Sequence, residues 1–87
     1  MTRDDVLERC EDAVLLEGFD EAILGIAFVR RSGWCVVYDR NKCLDILMSD
    51  GMTLEEAEEY FEFNVEALSF EANEPIFMEA IDESQTN

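Results

Sequence analysis

A tight break at Asp50-Gly51 separates two helical patterns within residues 38–68, and this pair of short helices most constrains the fold. Glycine tolerates the positive φ that ends a preceding helix. Thr53 and Glu56 have the Thr-x-x-Glu spacing of a capping box, which predicts the start of the second helix. Two short helices joined so closely must pack against a further apolar layer.

The two helices differ in what they display. Asp39 is the predicted N-cap of the first helix, which is expected to bury Leu44, Leu47 and Met48, with Cys43 beside them. The second helix has an apolar stripe at helical spacing, made of Leu54, Ala57, Phe61, Val65 and Leu68. Its remaining faces carry five acids: Glu55, Glu58, Glu59, Glu62 and Glu66.

Before these helices, the pattern predicts one helix and two strands. A helix over residues 3–17 follows from apolar periodicity, with Thr2 and Asp5 as a cap and Gly18 as its end. Residues 22–30 and 34–38 are apolar and rich in β-branched and aromatic types, so they predict an antiparallel hairpin with Gly33 in the left-handed position. A helix over 22–29 is the alternative, and the glycines disfavour it.

A third strand is predicted over residues 76–81, after Pro75. The predicted fold is therefore α+β, in the order αββααβ, with a three-stranded, mainly antiparallel sheet and helices packed on one face. Residues 1–81 form a single domain in this interpretation, and 82–87 form a polar C-terminal tail.

The net charge of −16 is unevenly distributed. Residues 1–42 contain six basic and nine acidic residues, a net of −3, whereas residues 43–87 contain thirteen acids and no base, a net of −13. We therefore expect no direct binding to nucleic acid or to a membrane, and a basic protein surface as the favoured partner. The alternative is a solvated acidic face that keeps a small protein soluble.

Catalytic chemistry is not indicated. Histidine is absent, which removes the commonest general base and zinc ligand. Cys43 follows Lys42 and could be an activated thiol, but it is better explained as a core residue, as are the other two cysteines in a reducing cytoplasm. The pairs Glu55 with Glu59 and Glu58 with Glu62 could hold a divalent cation, yet a solvated face is favoured. We expect no enzyme, no metal and no cofactor.

The motifs of residues 36–78 resemble a family of small acidic proteins found in bacteriophages and prophages. They are Tyr38-Asp39, Lys42-Cys43-Leu44, Ile46-Leu47-Met48, Gly51-Met52-Thr53, Glu55-Glu56-Ala57, Glu59-Tyr60-Phe61-Glu62-Phe63-Asn64-Val65 and Pro75-Ile76-Phe77. The family has no assigned activity, so the resemblance implies a phage setting rather than a mechanism. Glu66-Ala67-Leu68-Ser69 stands where the family has a glycine-rich turn, which implies a longer second helix.

These observations favour a non-enzymatic phage accessory protein in the host cytoplasm. It is expected to bind and modulate or inhibit a host defence or nucleic-acid-handling protein through its acidic helix and the neighbouring aromatic residues. Imitation of phosphates by the carboxylates is one candidate mechanism. Tyr60 and Phe63 lie off the apolar stripe and join the acids as predicted partner-binding residues, unless they form a second buried stripe. Asn64 is a candidate for a hydrogen bond to the turn or to a partner, but a buried amide with its hydrogen bonds satisfied is the favoured explanation. The alternative function is a small assembly module, a homodimer formed through a sheet edge or the aromatic face.

Overall fold

A computed structural model describes residues 2–79 as an α+β domain with a three-stranded mixed sheet. The elements are α1 (Arg3–Arg9), β1 (Ile23–Val29), β2 (Gly33–Asp39), α2 (Arg40–Ser49), α3 (Leu54–Phe61) and β3 (Ile76–Met78). A 3₁₀ turn at Asp20–Ala22 precedes β1, and a π-helical segment at Glu62–Glu66 continues α3. The last residues of the predicted third strand and the predicted tail lie outside the described residues.

The first helix begins where predicted but ends much earlier. Thr2 and Asp5 form a capping box, which confirms the predicted cap, whereas α1 stops at Arg9 rather than at residue 17. Acidic residues follow at positions 11 and 12, where the negative end of the helix dipole disfavours them. Residues 13–16 instead run irregularly over the core, and the Leu16 N–H donates to the Tyr38 hydroxyl at 2.9 Å. Tertiary packing therefore overrides the helical periodicity.

The hairpin prediction is confirmed. β1 and β2 pair antiparallel, with Val29 opposite Gly33 at the loop end. Gly33 has φ +95°, as the left-handed position requires, and Arg31 also has a positive φ of 73°. A bulge between Ile23 and Gly25 interrupts the register near the start of β1. The helical alternative for this segment is wrong.

β3 joins the sheet next to β2, in the order β1-β2-β3, but it runs parallel to β2. The sheet is thus mixed rather than mainly antiparallel. The reason lies in the connection, because α2 and α3 both lie between β2 and β3 in the chain and return it to the starting end of the sheet. Pro75 immediately precedes β3, which avoids a missing ladder hydrogen bond inside the strand.

The core lies between the helices and one face of the sheet. Val36 and Tyr38 of β2 are fully buried there, together with residues of all three helices. Phe61 is central, since its ring makes edge contacts with Phe19 and Phe77 at centroid distances of 6.0 and 5.0 Å. Such aromatic pairs add stability beyond the area that they bury.

Three residues predicted to be buried lie partly in solvent. Met48 is 39% exposed because it falls at the edge of the α2 stripe formed by Cys43, Leu44 and Leu47. Leu54 and Leu68, the two ends of the predicted stripe of the second helix, are about half exposed. The middle of that stripe, Ala57, Phe61 and Val65, is buried as predicted.

Candidate functional site

The helix α3 starts at a fixed residue because its capping box forms in both directions. The Glu56 N–H donates to Thr53 Oγ1 at 3.2 Å, and the Thr53 N–H donates to Glu56 Oε1 at 2.9 Å. These hydrogen bonds stabilise the ionised carboxylate and lower the pKa of Glu56. Gly51, with φ +107°, turns the chain between α2 and this cap. The local sequence therefore fixes which side chains α3 presents to solvent.

Four exposed carboxylates form a surface that we call the acidic face, made of Glu55, Glu58, Glu59 and Glu62. Residues spaced by three, four and seven share one side of a helix. Within residues 2–79, none of the four belongs to a salt bridge, since the salt bridges there involve only Arg3 and Arg40. Their charges are available to a partner.

The acidic face disfavours the helix that carries it. Glu55 with Glu59, and Glu58 with Glu62, are like-charge pairs four residues apart, which destabilise a helix. The last turn of α3 contains no basic residue, although cations are favoured at this negative end of the helix dipole. Glu55 is favoured by the helix dipole because it lies in the first turn, whereas helix stability does not account for the other three carboxylates.

Glu66 differs from the other four predicted acids. Its carboxylate accepts from Arg40 Nη2 at 3.1 Å and from Nε at 3.3 Å, a bidentate ion pair between α2 and the segment after α3. The Arg40 guanidinium also lies 5.5 Å from the centroid of the Phe61 ring. Glu66 therefore anchors the end of the π-helical segment to the core, and sequence reasoning gave no sign of this partner.

Two aromatic side chains point outward where α3 meets the π-helical segment, Tyr60 at the end of α3 and Phe63 in the π-helical segment. Phe63 is 71% exposed and Tyr60 is 43% exposed, so the second buried stripe considered from the sequence does not form. Asn64, also exposed, donates from Nδ2 to the Tyr60 carbonyl at 3.1 Å, which is a local bond within the turn. In a π turn the backbone hydrogen bonds join residues five apart rather than four apart, and such turns occur often at functional sites.

Tyr60 and Phe63 line a groove of about 310 Å³ that we call the aromatic groove. Its other lining residues are Met52, Glu56, Glu59 and Asn64. Met52 and Glu56 were not predicted as site residues from the sequence. Met52 lies directly after the interhelical turn, and the capping box alone explained Glu56. The groove adjoins the acidic face through Glu59, so carboxylates and apolar surface meet in one place.

The environment of Cys43 disfavours the thiolate form that a nucleophile requires. Cys43 is fully buried, and desolvation, with Asp39 nearby, raises its pKa to about 12. Cys10 and Cys35 are also buried. The prediction that the cysteines serve as small apolar residues is confirmed.

Residues 2–79 contain no group of three or more histidine, cysteine, aspartate or glutamate side chains positioned to hold a metal ion. No helix within them is long and apolar enough to span a bilayer. No family model, curated protein or solved structure matches the chain. The likeness to phage proteins stays a prediction.

Proposed function

We propose that the chain is a non-enzymatic phage accessory protein that acts in the host cytoplasm by binding and inhibiting a host defence or nucleic-acid-handling protein. The acidic face would occupy a basic cleft that normally receives nucleic acid. The observation that carries the proposal is the set of four exposed carboxylates, three on α3 and Glu62 directly after it, with no salt-bridge partner within residues 2–79. The phage setting rests on the sequence resemblance.

Charge density along α3 supports nucleic-acid mimicry. With a rise of about 1.5 Å per residue, Glu55 to Glu62 spans about 10.5 Å, so the four carboxylates are separated along the axis by about 4.5, 1.5 and 4.5 Å, a mean of about 3.5 Å. One strand of B-form DNA carries a phosphate about every 3.4 Å along its axis. A cleft lined with lysine and arginine would therefore meet a similar line of charge.

The aromatic groove predicts that the partner also offers apolar surface, which imitation of phosphates alone would not require. Tyr60 and Phe63 expose apolar area directly beside Glu59. Exposed aromatic side chains are typical of the residues that contribute most to protein interfaces. The partner would accordingly present basic side chains with an apolar side chain next to them, as the rims of many nucleic-acid clefts do.

A capture experiment with charge-matched variants tests the proposal. The tagged protein is compared with a variant in which Glu55, Glu58, Glu59 and Glu62 are glutamine, using host lysate at low and moderate salt and mass spectrometry of the captured proteins. We expect the wild type to retain a nucleic-acid-binding protein at low salt, and to lose it as salt screens the charges. Double-stranded DNA should compete for it.

The control variant neutralises four exposed acids outside the face, at Glu8, Glu11, Asp45 and Glu71, and so has the same net charge. Capture by the control together with loss of capture by the face variant supports the proposal. Equal capture by both variants would mean that binding follows net charge or another surface, and the acidic-face mechanism would be wrong. If double-stranded DNA did not displace the captured host protein, nucleic-acid mimicry would be wrong.

A further inference from the structure

The hairpin leaves one edge of the sheet without a neighbouring strand. β1 is the outer strand in the order β1-β2-β3, and its seven residues include neither a proline nor a charged side chain. Folded proteins usually protect such an edge with charges, prolines or bulges. The bulge between Ile23 and Gly25 lies at the start of β1, so residues 25–29 lack these devices. We call the outer side of this strand the β1 edge.

Backbone groups of β1 are directed outward along this edge. Asn73, in the loop that leads into β3, donates from Nδ2 to the Trp34 carbonyl at 2.8 Å, so this carbonyl points away from β1. Opposing residues of an antiparallel pair alternate between exchanging two hydrogen bonds and exchanging none. Trp34 and its partner Phe28 therefore exchange none, and the N–H and C=O of Phe28 and, by alternation, of Ile26 point outward. Outside the sheet ladder, no hydrogen bond within residues 2–79 engages these four groups.

Two aromatic side chains mark the end of the β1 edge that adjoins the hairpin loop. Phe28 is 64% exposed and Trp34 is 45% exposed, and their rings meet edge to face with 5.4 Å between centroids. Cross-strand neighbours on one face of a sheet stabilise each other. A strand added beside β1 would place a side chain against the exposed ring of Phe28.

Charge differs between the two ends of the β1 edge. Arg30 and Arg31, two of the six basic residues of the chain, follow β1 and are exposed. Neither belongs to a salt bridge within residues 2–79. Before β1 lie two acids, Asp20 and Glu21. The edge is therefore cationic where β1 ends and anionic where it begins.

The loop that carries the two arginines is held in place. The Asn73 N–H donates to both the carbonyl and the hydroxyl of Ser32, each at 2.9 Å. Arg31 has φ 73°, a left-handed conformation that is costly for such a residue and persists only where the surroundings fix it. The arginine side chains therefore extend from a defined backbone.

We propose that the β1 edge binds an extended segment of another protein by strand addition, antiparallel to β1, with carboxylates at the amino-terminal end of the segment. Antiparallel pairing places that end beside Arg30 and Arg31. Backbone hydrogen bonds to Ile26 and Phe28 supply affinity, and the charges fix the direction of the segment. Because the screening length at physiological salt is about 8 Å, distant acids of the chain repel the segment little.

Other occupants fit the edge less well. A nucleic acid does not present the alternating amide donors and acceptors of a strand. A second copy has acids before its β1, but residues 20–22 form a 3₁₀ turn rather than a strand, and the Asp20 carboxylate accepts from Arg3. The inference concerns a surface separate from the acidic face and does not depend on the proposed host partner.

The fluorescence of Trp34 tests the proposal, since it is the only tryptophan of the chain and its ring contacts Phe28. The probe is a capped peptide of two aspartates followed by alternating threonine and valine, titrated into the full chain. The control peptide has the same composition with the aspartates at its carboxyl-terminal end, where antiparallel pairing places them beside Glu21. We expect the probe to bind about threefold more tightly than the control, as a partly exposed ion pair allows.

Two changes separate strand addition from simple attraction between charges. Methylation of the backbone nitrogens throughout the threonine–valine part of the probe removes its donors and should weaken binding about tenfold or more. Arg30→Gln should abolish the preference for the probe over the control peptide. Lys42→Gln, which removes one exposed positive charge from α2, should keep that preference. Circular dichroism checks that both variants are folded.

Several results would overturn the proposal. They are an unchanged Trp34 fluorescence in the presence of the probe, equal binding of probe and control peptide, and undiminished binding of the methylated probe. Tighter binding of a single-stranded thymidine oligonucleotide would assign the arginines to nucleic acid instead. A dimer that forms without peptide in sedimentation velocity and is lost on Arg30→Gln would assign the edge to a second copy.

Discussion

Arg40 holds Glu66 through two hydrogen bonds of 3.1 and 3.3 Å, and so ties the start of α2 to the end of the π-helical segment. Both side chains are partly shielded, with 20% and 31% of their surface exposed. Neither pattern nor composition links these residues, which lie on opposite sides of the interhelical turn. The pair therefore sets the orientation of the segment that exposes Phe63.

Removing this pair should lower stability measurably. Arg40→Met keeps the aliphatic stem but loses the bidentate bonds to Glu66, the ion pair with Glu79 at 3.5 Å and the contact with the Phe61 ring. We expect a loss of about 1 kcal/mol in the free energy of unfolding, because partial exposure limits such pairs. Urea denaturation measures it. Arg30→Met, at an exposed arginine outside the salt bridges of residues 2–79, should change stability by less than about 0.5 kcal/mol. If Arg40→Met and Arg30→Met lowered the free energy of unfolding equally, the contacts of Arg40 would not contribute to stability.

Charge reversal on the acidic face should separate stability from binding. Glu59→Lys with Glu62→Lys replaces repulsion with attraction toward Glu55 and Glu58, and it places cations at the negative end of the helix dipole. We expect a higher melting temperature together with loss of partner capture. Glu8→Lys with Glu11→Lys should leave capture intact. A lower melting temperature in the face variant would show that the carboxylates stabilise the helix.

Two neighbouring aromatic residues should respond in opposite ways to truncation. Phe61 is fully buried, so Phe61→Ala should cost about 3–5 kcal/mol. Phe63 is 71% exposed, so Phe63→Ala should change stability by less than about 0.5 kcal/mol while weakening partner capture. Chemical denaturation and the capture assay report the two effects separately. A large stability loss in Phe63→Ala would place its ring in the core.

Stability should fall in acid partly through Glu56. Because its pKa is lowered from 4.5 in the folded chain, the folded state binds fewer protons, and the ionised form contributes stability that is complete above pH 4.5. This contribution is lost as the pH falls through the lower folded value. Glu56→Gln keeps an acceptor for the Thr53 N–H but does not titrate, so its unfolding free energy should vary less between pH 5 and pH 2. Glu58→Gln serves as the control.

The thiols should react only when the chain opens. All three cysteines are buried, and the Cys43 thiol has a pKa of about 12. Native protein should therefore react slowly with a disulfide reagent such as Ellman's at pH 8, whereas denatured protein should release the full signal of three thiols at once. Fast labelling of one thiol in native protein would identify an accessible cysteine.

Local signals in the sequence predicted those features that depend on neighbouring residues. Both capping boxes, the N-cap at Asp39 and the left-handed Gly33 follow from short-range backbone chemistry, and the structure confirms each. The apolar centre of the second stripe, at Phe61 and Val65, was also predicted. In these places a few adjacent residues determine the geometry.

Features set by tertiary contact could not be predicted in the same way. The early end of α1 depends on a hydrogen bond from Leu16 to Tyr38, twenty-two residues away. The parallel direction of β3 depends on how two helices return the chain. For the candidate site, the sequence identified the acids and singled out Tyr60 and Phe63, but the exposure of these two rings, the aromatic groove and the engagement of Glu66 by Arg40 required the fold.

The short parallel pairing of β3 also has a kinetic consequence. In the part of the chain that the structure describes, three residue pairs join β3 to β2, and both helices must be in place before those pairs can meet. Long-range pairings with few contacts form late and open easily. In native-state hydrogen exchange, the β3 amides should therefore lose protection before those of the β1–β2 hairpin. Each opening would briefly free one edge of β2, which makes this edge a second point at which the folded protein could recruit a strand from another chain.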